Sequence, residues 1–483
     1  MFKKIAYNTS INFFARAIST LLGLITVALM TRYLGKSGYG EYTIVLTFVH
    51  FFGILADFGL TLVTAQMLAR SKGLARHNAQ NLNGLVKSEA DQNKIISNIF
   101  TLRFFSSLIF LGLAPLVVIF FPYDPMIKFG VLIMTFSFFC ISLNQIFIGF
   151  YQQKLLMGRA SVSEVASRII MIAAVWAAVY YNTGLTGIIV ATVATSLSQL
   201  LINYLLSLKL IALRFAFDKN IWREIIKLSW PMAVTITLNL IYLKTDTIVL
   251  SIVRPQAEVG LYGAAYRVID VLITLPFILS GIVMPQLTAA WFSKDKEKFK
   301  QFIQYSFDVL SVIALPLIAG AQFVGKPLMV FVAGPEFAES GRILQLLIIA
   351  CGAIYFGSIF SHVIVAIEKQ RQIIWAYVFT SITAFIGYII FIPRYSYFGA
   401  AGMTIYSEVL ITVLIFITYY KYIRFIPKLK TFLKSLLACL IMSLFLYFTR
   451  NINVMASILL AVLIYSAVLY PMVGKKIYAK IKS

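Results

Sequence analysis

Long apolar stretches alternate with short clusters of charged residues, glycine and proline along the whole chain. A helix that crosses a bilayer needs about 20 predominantly apolar residues, and most of these stretches reach that length. The pattern predicts spans at 9–31, 41–66, 95–121, 127–151, 161–181, 185–211, 227–253, 259–291, 301–325, 341–366, 372–392, 396–420, 431–449 and 452–473. It therefore predicts an all-α polytopic membrane protein with about fourteen transmembrane helices.

The composition excludes several classes of protein. Of the 483 residues 60% are apolar and 12% are charged, so a water-soluble fold would expose large apolar patches. The Gly35-Lys36-Ser37 triplet resembles the end of a P-loop, but Met30 stands where the first glycine is required. The three cysteines lie in apolar runs without metal-ligand spacing. We therefore expect a transporter without a cofactor or a metal, and not an enzyme.

The excess of basic residues is unevenly distributed between the predicted loops. The chain carries a formal charge of +24 from 42 lysines and arginines and 18 carboxylates. Of these bases, 29 fall at the termini and in the even-numbered loops, 8 in the odd-numbered loops and 5 inside spans. The positive-inside rule then places both termini in the cytoplasm. The charge indicates orientation and affinity for anionic membrane lipids, and no nucleic acid partner is expected.

The outer loops of this topology are short and hold few carboxylates. A membrane glycosyltransferase or polymerase would need acidic catalytic residues on a sizeable outer loop. This enzyme class is therefore disfavoured.

Two short motifs recur in the two halves of the chain. Gly40-Glu41-Tyr42 after span 1 matches Gly260-Leu261-Tyr262 after span 7, and Gly184-Leu185-Thr186-Gly187 matches Gly399-Ala400-Ala401-Gly402. Transporters are often built from repeated bundles. We predict an N-terminal six-helix bundle at 1–215, a second one at 216–425, and two further spans with a basic tail at 426–483. A cleft between the bundles is the expected substrate site.

Ionisable residues inside spans are the candidate functional groups, since each costs roughly 2.5–3.5 kcal/mol at the bilayer centre. Arg16 and Arg103 have no acidic residue within four positions. Each needs a distant partner such as Asp57 or an anionic ligand, and guanidinium groups match phosphate oxygens well. The candidate anion-binding residues are Arg16, Arg103, Arg168 and Arg267. The candidate ion-coupling or cavity residues are Asp57, Asp246, Asp270 and Glu408.

Some of these groups also have a purely structural explanation. Glu164 and Arg168 are four positions apart and Arg267 and Asp270 three apart, so each pair can neutralise itself on one helix face. Lys244 and Asp246 point about 200° apart on a helix, and Asp246 is the expected inward group.

Several motifs at the ends of spans carry a family resemblance. They are Asn8-Thr9-Ser10 with Arg16, Arg32-Tyr33-Leu34-Gly35, Gly38-Tyr39-Gly40-Glu41-Tyr42, Trp230-Pro231, Asp246, and Val259-Gly260-Leu261-Tyr262 running to Ala265-Tyr266-Arg267. With them the chain resembles the polysaccharide-transport group, the bacterial Wzx-type flippases, of the multidrug/oligosaccharidyl-lipid/polysaccharide (MOP) flippase superfamily. The resemblance extends over essentially the whole sequence.

The resemblance implies a V-shaped pair of six-helix bundles in the bacterial inner membrane. It implies transport of an undecaprenyl-diphosphate-linked oligosaccharide, such as an O-antigen repeat unit, to the outer leaflet. A polysaccharide polymerase and a chain-length regulator are candidate partners. The second bundle departs from an arginine-lined cavity, because it has more intramembrane carboxylates than bases. Two alternatives stay open: a lipid II flippase, and a proton- or sodium-coupled multidrug antiporter of the same superfamily.

Overall fold

The computed structural model describes residues 2–61, 89–154, 156–208, 210–211, 213–449 and 452–474. These residues form twelve α-helices and no β-strand. The helices are α1 (Phe2–Asp57), α2 (Glu89–Val117), α3 (Pro125–Lys154), α4 (Met157–Tyr180), α5 (Gly184–Ser207), α6 (Lys219–Val253), α7 (Gln256–Phe292), α8 (Lys296–Ala333), α9 (Ser340–Ala366), α10 (Ile374–Ile423), α11 (Lys430–Phe448) and α12 (Val454–Leu469). Helices satisfy their own backbone hydrogen bonds, as an apolar bilayer requires.

Eleven helices in this described part are long and apolar enough to cross a membrane. The expectation of an all-α multi-pass membrane protein is thus confirmed, while the count of fourteen spans stays a prediction. Two helices are interrupted at residues in the left-handed region: α1 at Gly35, with φ 64°, and α10 at Ser396, with φ 53°. The first break lies between predicted spans 1 and 2, and the second lies at the first residue of predicted span 12.

The contacts divide the chain into two compact units, 1–240 and 241–483. The division falls within α6, whereas the sequence repeat puts the bundle boundary at 215–216. In the second unit, α11 and α12 pack against α8. Tyr465 of α12 donates a hydrogen bond of 2.8 Å to the carbonyl of Val312. The two helices after the repeat therefore belong to the C-terminal unit.

A buried polar seam joins α3 and α5 in the N-terminal unit. The hydroxyl groups of Ser137 and Ser196 lie 2.6 Å apart, and Asn203 Nδ2 donates to Asn144 Oδ1 at 2.7 Å. Tyr151 then donates to the Asn203 carbonyl at 2.8 Å. The residues on each helix are seven apart, so they lie on one face over two turns. Hydrogen bonds between side chains thus hold two parallel helices in register where apolar contacts alone give little specificity.

Candidate functional site

A buried ion pair ties together three helices of the N-terminal unit. The side chain of Arg103 on α2 is fully buried, and its Nη2 lies 2.7 Å from Asp57 Oδ1 at the end of α1. The same Nη2 donates to Thr61 Oγ1 at 2.9 Å, and Nη1 donates to the Ser142 carbonyl of α3 at 2.9 Å. Thr61 in turn donates to Asp57 at 2.5 Å. Both terminal nitrogens of the guanidinium are therefore engaged within the unit.

This pair provides the distant partner that the sequence required for a buried Arg103. An arginine that reaches a carboxylate 46 positions away cannot be recognised from helical spacing. The end of α1 is also fixed by Ser106, whose hydroxyl donates to the Ala56 carbonyl at 2.9 Å. The arrangement stabilises the packing of α1 on α2 and engages both terminal nitrogens of Arg103, while its buried Nε has no hydrogen-bond partner among the described residues.

A different polar cluster lies in the C-terminal unit, around the fully buried Asp246 of α6. Its Oδ1 accepts from the backbone N–H of Thr247 at 2.5 Å and from the Thr247 hydroxyl at 3.1 Å. Its Oδ2 accepts from the Tyr262 hydroxyl of α7 at 2.5 Å and from Thr404 Oγ1 of α10 at 3.2 Å. These donor contacts favour the ionised form of the carboxylate and offset part of the cost of burying it.

Lys244, two positions before Asp246, makes a separate contact on α7. Its Nζ lies 4.3 Å from the ring centroid of Tyr266 and 3.8 Å from Asp270 Oδ1. Asp246 and Lys244 therefore have different partners, as expected from their angular separation. Asp270, which helical spacing paired with Arg267, is 42% exposed and lies beside Lys244.

The remaining predicted residues are distributed over several helices. Glu408 is buried on α10, one turn after Thr404, and its Oε1 has no hydrogen-bond partner among the described residues. Arg267 is half-buried on α7, whereas Arg16 on α1 and Arg168 on α4 are exposed. The structure thus brings Arg103 and Asp57 together, and it places Asp246 and Asp270 in neighbouring contacts of α6 with α7.

Two of the sequence motifs contact each other in the N-terminal unit. The Tyr33 hydroxyl accepts from the backbone N–H of Gly184 at 2.7 Å and donates to Asn182 Oδ1 at 3.1 Å. Gly184 has φ 64° and Gly35 has the same value, a conformation that glycine adopts at little cost. Gly35 lies at the break within α1, and Gly184 begins α5. The Tyr33 hydroxyl joins the two turns.

The corresponding turns of the C-terminal unit meet through different chemistry. Arg254 Nη2 donates to the Pro393 carbonyl at 2.6 Å, and the Ser396 hydroxyl donates to Glu258. Arg254, in the connection before α7, also forms an ion pair with Glu258 in the first turn of α7, at 4.0 Å. In both units, therefore, the connection between the first two predicted spans of the repeat contacts the connection between its last two spans.

Sequence reasoning missed the hydroxyl partners of the two clusters. Tyr262 was singled out only as part of a repeated motif, and nothing in the sequence pointed to Thr404, Thr247 or Thr61. A threonine in a helix usually bonds to the carbonyl four residues earlier, so its type alone carries no functional signal. No group of three metal-ligating side chains occurs among the described residues.

Comparisons with known proteins agree with this fold and with the sequence motifs. The sequence profile described as "Polysaccharide biosynthesis protein" matches residues 5–292. A Shigella flexneri protein described as "Putative O-antigen transporter" is 23% identical over 350 residues, which are 71% of this chain and 80% of that protein.

Solved structures show the same fold. The lipid II flippase MurJ in an inward closed conformation superposes with a TM-score of 0.75 at 19% identity, over 98% of this chain and 100% of that one. An inward-facing multidrug resistance MATE family transporter of the MOP superfamily gives a TM-score of 0.66 at 16% identity, over 86% and 97% of the two chains. The resemblance found in the sequence motifs is thereby confirmed, and the chain belongs to the polysaccharide biosynthesis protein family.

Proposed function

We propose that this protein is a flippase that moves an undecaprenyl-diphosphate-linked oligosaccharide from the cytoplasmic to the outer leaflet of the bacterial inner membrane by alternating access. The observation that carries the proposal is the family match over residues 5–292 on a fold that superposes along its length on a lipid flippase. The O-antigen transporter relative supports a surface-polysaccharide repeat unit as the cargo. Both termini lie in the cytoplasm in this proposal, in accordance with the distribution of bases.

The diphosphate of the cargo is received by arginines in this mechanism. Arg16 and Arg168 are exposed on their helices and can offer planar, bidentate guanidinium groups to phosphate oxygens. Arg267 is a further candidate. Arg103 is less suited to this role, since its charge is balanced by Asp57 and its terminal nitrogens are bound within the unit.

The membrane potential can drive this transport in the export direction. A diphosphate head group carries about two negative charges, and each gains about 2.3 kcal/mol per 100 mV on moving out of an inside-negative cell. The gain is therefore roughly 4–5 kcal/mol per 100 mV. This exceeds the thermal energy several-fold and is sufficient to bias the direction of transport.

Ion coupling through carboxylates is the second part of the proposal. Asp246 has four donors directed at it, and the partly unsatisfied Glu408 lies one helical turn from the Thr404 hydroxyl that contacts Asp246. Protonation or cation binding at these two groups would change the contacts between α6, α7 and α10. Asp57 and Asp270 are less suited to this role, since each lies beside a basic group.

The test is a transport assay in proteoliposomes that contain the wild type, Arg16→Ala or the matched control Arg223→Ala. Arg223 is likewise an exposed arginine on a helix. The loss of a fluorescent lipid-linked oligosaccharide from one leaflet is followed with and without an imposed potential. We expect transport that accelerates with an inside-negative potential, and a loss of about tenfold or more in Arg16→Ala alone. Equal rates in the two variants would contradict the role of Arg16.

A lipid II flippase is the second candidate, favoured by the superposition on MurJ. The same assay with lipid II as the only cargo distinguishes the two substrates. Faster transport of lipid II than of a surface-polysaccharide repeat unit would decide for this candidate. Transport of a cationic dye without any lipid-linked sugar, abolished by Asp246→Asn, would instead indicate an antiporter.

A further inference from the structure

A basic cavity lies at the ends of three helices of the C-terminal unit, away from the groups assigned to transport. Its volume is about 660 Å³, within the range of small-molecule sites. It is lined by Ala290, Trp291, Phe292, Lys294, Asp295, Lys296, Phe299, Lys300, Tyr422, Ile423 and Arg424. These residues come from the end of α7, the start of α8 and the end of α10.

The cavity carries a net positive charge. Four bases and one carboxylate line it, and the carboxylate is already occupied. Asp295 caps α8 by accepting the backbone N–H of Lys298 at 3.0 Å. Lys300 has an ion-pair partner in Glu297 at 3.6 Å. Lys294, Lys296 and Arg424 therefore provide most of the charge that a ligand would meet.

The wall of the cavity is held in place by hydrogen bonds that need no ligand. The Tyr419 hydroxyl donates to the Phe425 carbonyl at 2.8 Å. Gln304 of α8 donates to the Lys428 carbonyl at 3.0 Å and accepts from the Lys428 backbone N–H at 2.6 Å. The segment after α10, which begins at Arg424, is thereby fixed to α8. A preformed basic wall loses little entropy when an anion binds.

The surroundings are those of a membrane interface. Trp291 and Phe292 are partly exposed beside the bases, and Trp291 packs on Phe299 with ring centroids 5.2 Å apart. Aromatic residues of this kind concentrate where headgroups meet hydrocarbon. The bases of the α7–α8 connection also belong to the loops predicted to face the cytoplasm. Basic pockets between transmembrane helices on that side suit anionic headgroups.

We propose that this cavity binds the phosphate-bearing headgroup of an anionic phospholipid from the cytoplasmic leaflet. Lys294, Lys296 and Arg424 neutralise the phosphate, while Trp291 and Tyr422 contact the glycerol region. The site is separate from the route of the cargo and fixes the ends of α7, α8 and α10 relative to the leaflet. A soluble phosphate would use the bases but not the aromatic edge.

The test uses Trp291 as a reporter in the full-length protein. The other four tryptophans are replaced by phenylalanine at positions 176, 222, 230 and 375. Quenching by brominated phosphatidylglycerol is compared with quenching by brominated phosphatidylcholine at equal mole fraction in detergent micelles. We expect a clear preference for the anionic lipid. Each interfacial base strengthens the attraction by about fivefold, so K294Q/K296Q/R424Q should reduce the preference by about tenfold or more.

The matched control is K421Q/K428Q/K430Q, which removes three exposed bases that lie close in sequence and do not line the cavity. This variant should keep the preference. A second variant, K294R/K296R, keeps the charge and should also retain it, which separates loss of the site from loss of folding. An equal loss in the cavity variant and the control, or no preference in the starting protein, would overturn the proposal.

Two competitors distinguish the sources of phosphate. Inorganic phosphate at millimolar concentration should leave the quenching by phosphatidylglycerol unchanged, and its displacement of the lipid would indicate a site for soluble anions. Farnesyl diphosphate should compete no better than phosphatidylglycerol. Stronger competition by this diphosphate would assign the cavity to the transported cargo and would contradict a separate lipid site.

Discussion

The two units share one tyrosine–threonine contact and differ in what surrounds it. In the N-terminal unit the Tyr42 hydroxyl lies 3.4 Å from Thr192 Oγ1, between α1 and α5. In the C-terminal unit the Tyr262 hydroxyl lies 3.3 Å from Thr404 Oγ1, between α7 and α10. The two tyrosines end the repeated Gly-x-Tyr motif. The repeated motif therefore places the same side chain against the last helix of each predicted six-helix repeat.

The two units differ in the carboxylate of Asp246, which has no counterpart in the N-terminal unit. The sequence offset of the tyrosines relates Asp246 of the C-terminal unit to Thr26 of the N-terminal unit. Thr26 is buried, and its hydroxyl donates to the Leu22 carbonyl of its own helix at 2.9 Å. Asp246 instead accepts from Tyr262 and Thr404. One substitution between the repeats thus converts a neutral helix contact into a chargeable site.

The N-terminal unit carries its buried charge elsewhere, in the pair of Arg103 and Asp57. This charge is balanced within the unit, whereas the charge of Asp246 depends on hydroxyl groups. A balanced pair suits a structural role, and a carboxylate among hydroxyl groups suits a role that changes with protonation or cation binding. The following predictions test this division, from the largest expected effect to the smallest.

Breaking the balanced pair should have the largest effect on stability. Arg103→Ala leaves the Asp57 carboxylate without its basic partner, and removal of one partner of a buried pair costs about 3 kcal/mol or more. Since Asp57 is 26% exposed, the cost should lie near this lower end. Thermal unfolding of the detergent-solubilised protein measures it against Arg223→Ala, which removes an exposed arginine. Equal unfolding temperatures for the two variants would refute the structural role.

Neutralising Asp246 should affect transport more than stability. Asp246→Asn keeps the shape but removes the charge and replaces one of the two acceptor oxygens by a donor, so a hydrogen bond worth about 2 kcal/mol is weakened. We expect about tenfold slower ion-dependent transport in proteoliposomes. Thr26→Val is the matched change in the N-terminal unit and should leave the ion dependence intact. The same loss in both variants would remove the distinction between the units.

The shared tyrosines provide a sharper comparison. Tyr262→Phe removes a hydrogen bond to a carboxylate, worth about 1.5–3 kcal/mol, whereas Tyr42→Phe removes a neutral contact worth about 1 kcal/mol or less. Thermal unfolding should therefore show a larger loss for the C-terminal variant. If Tyr42→Phe were the more destabilising substitution, the contact of Tyr262 with Asp246 would not be the stronger of the two.

The smallest expected effect on stability comes from Asp218, which lies outside the spans, just before α6 begins. Asp218 accepts from Lys94 Nζ at 2.7 Å and from the backbone N–H groups of Asn220 and Ile221, and these contacts hold the pKa of its carboxyl below the ordinary value. A lowered pKa stabilises the fold above the ordinary value of about 3.9, and this contribution disappears as the pH falls through the folded-state pKa. The unfolding temperatures of the wild type and Asp218→Asn should therefore differ at pH 7 and converge below about pH 4. A constant difference across this range would show that the carboxylate charge is not involved.

The sequence predicted the helices well because their cause is local. Apolar runs of the right length predicted the spans, and the break at Gly35 lies in the interval between the first two of them. The break at Ser396 was predicted only as a boundary between two apolar runs, because a serine carries no signal for a left-handed φ. The candidate charges were also visible locally, since any ionisable residue within an apolar run is conspicuous.

The partners of those charges were not visible. Arg103 and Asp57 are 46 positions apart, and Asp246 and Thr404 are 158 apart. Whether such side chains meet depends on the rotation and register of each helix against its neighbours. Several contacts set the register of the helices that they join. They are the polar seam of α3 and α5, the turn held by Tyr33, and the packing of α11 and α12 on α8.

The sequence by itself thus determined the membrane class, the helical segments and the family of this protein. Hydropathy and backbone hydrogen bonding within a helix act over a few residues and can be read along the chain. Only the tertiary structure decided that Arg103 is neutralised by Asp57, that Asp246 is held by hydroxyl groups, and that three helix ends form a basic cavity. Each of these depends on side chains distant in sequence, whose approach results from the packing of whole helices.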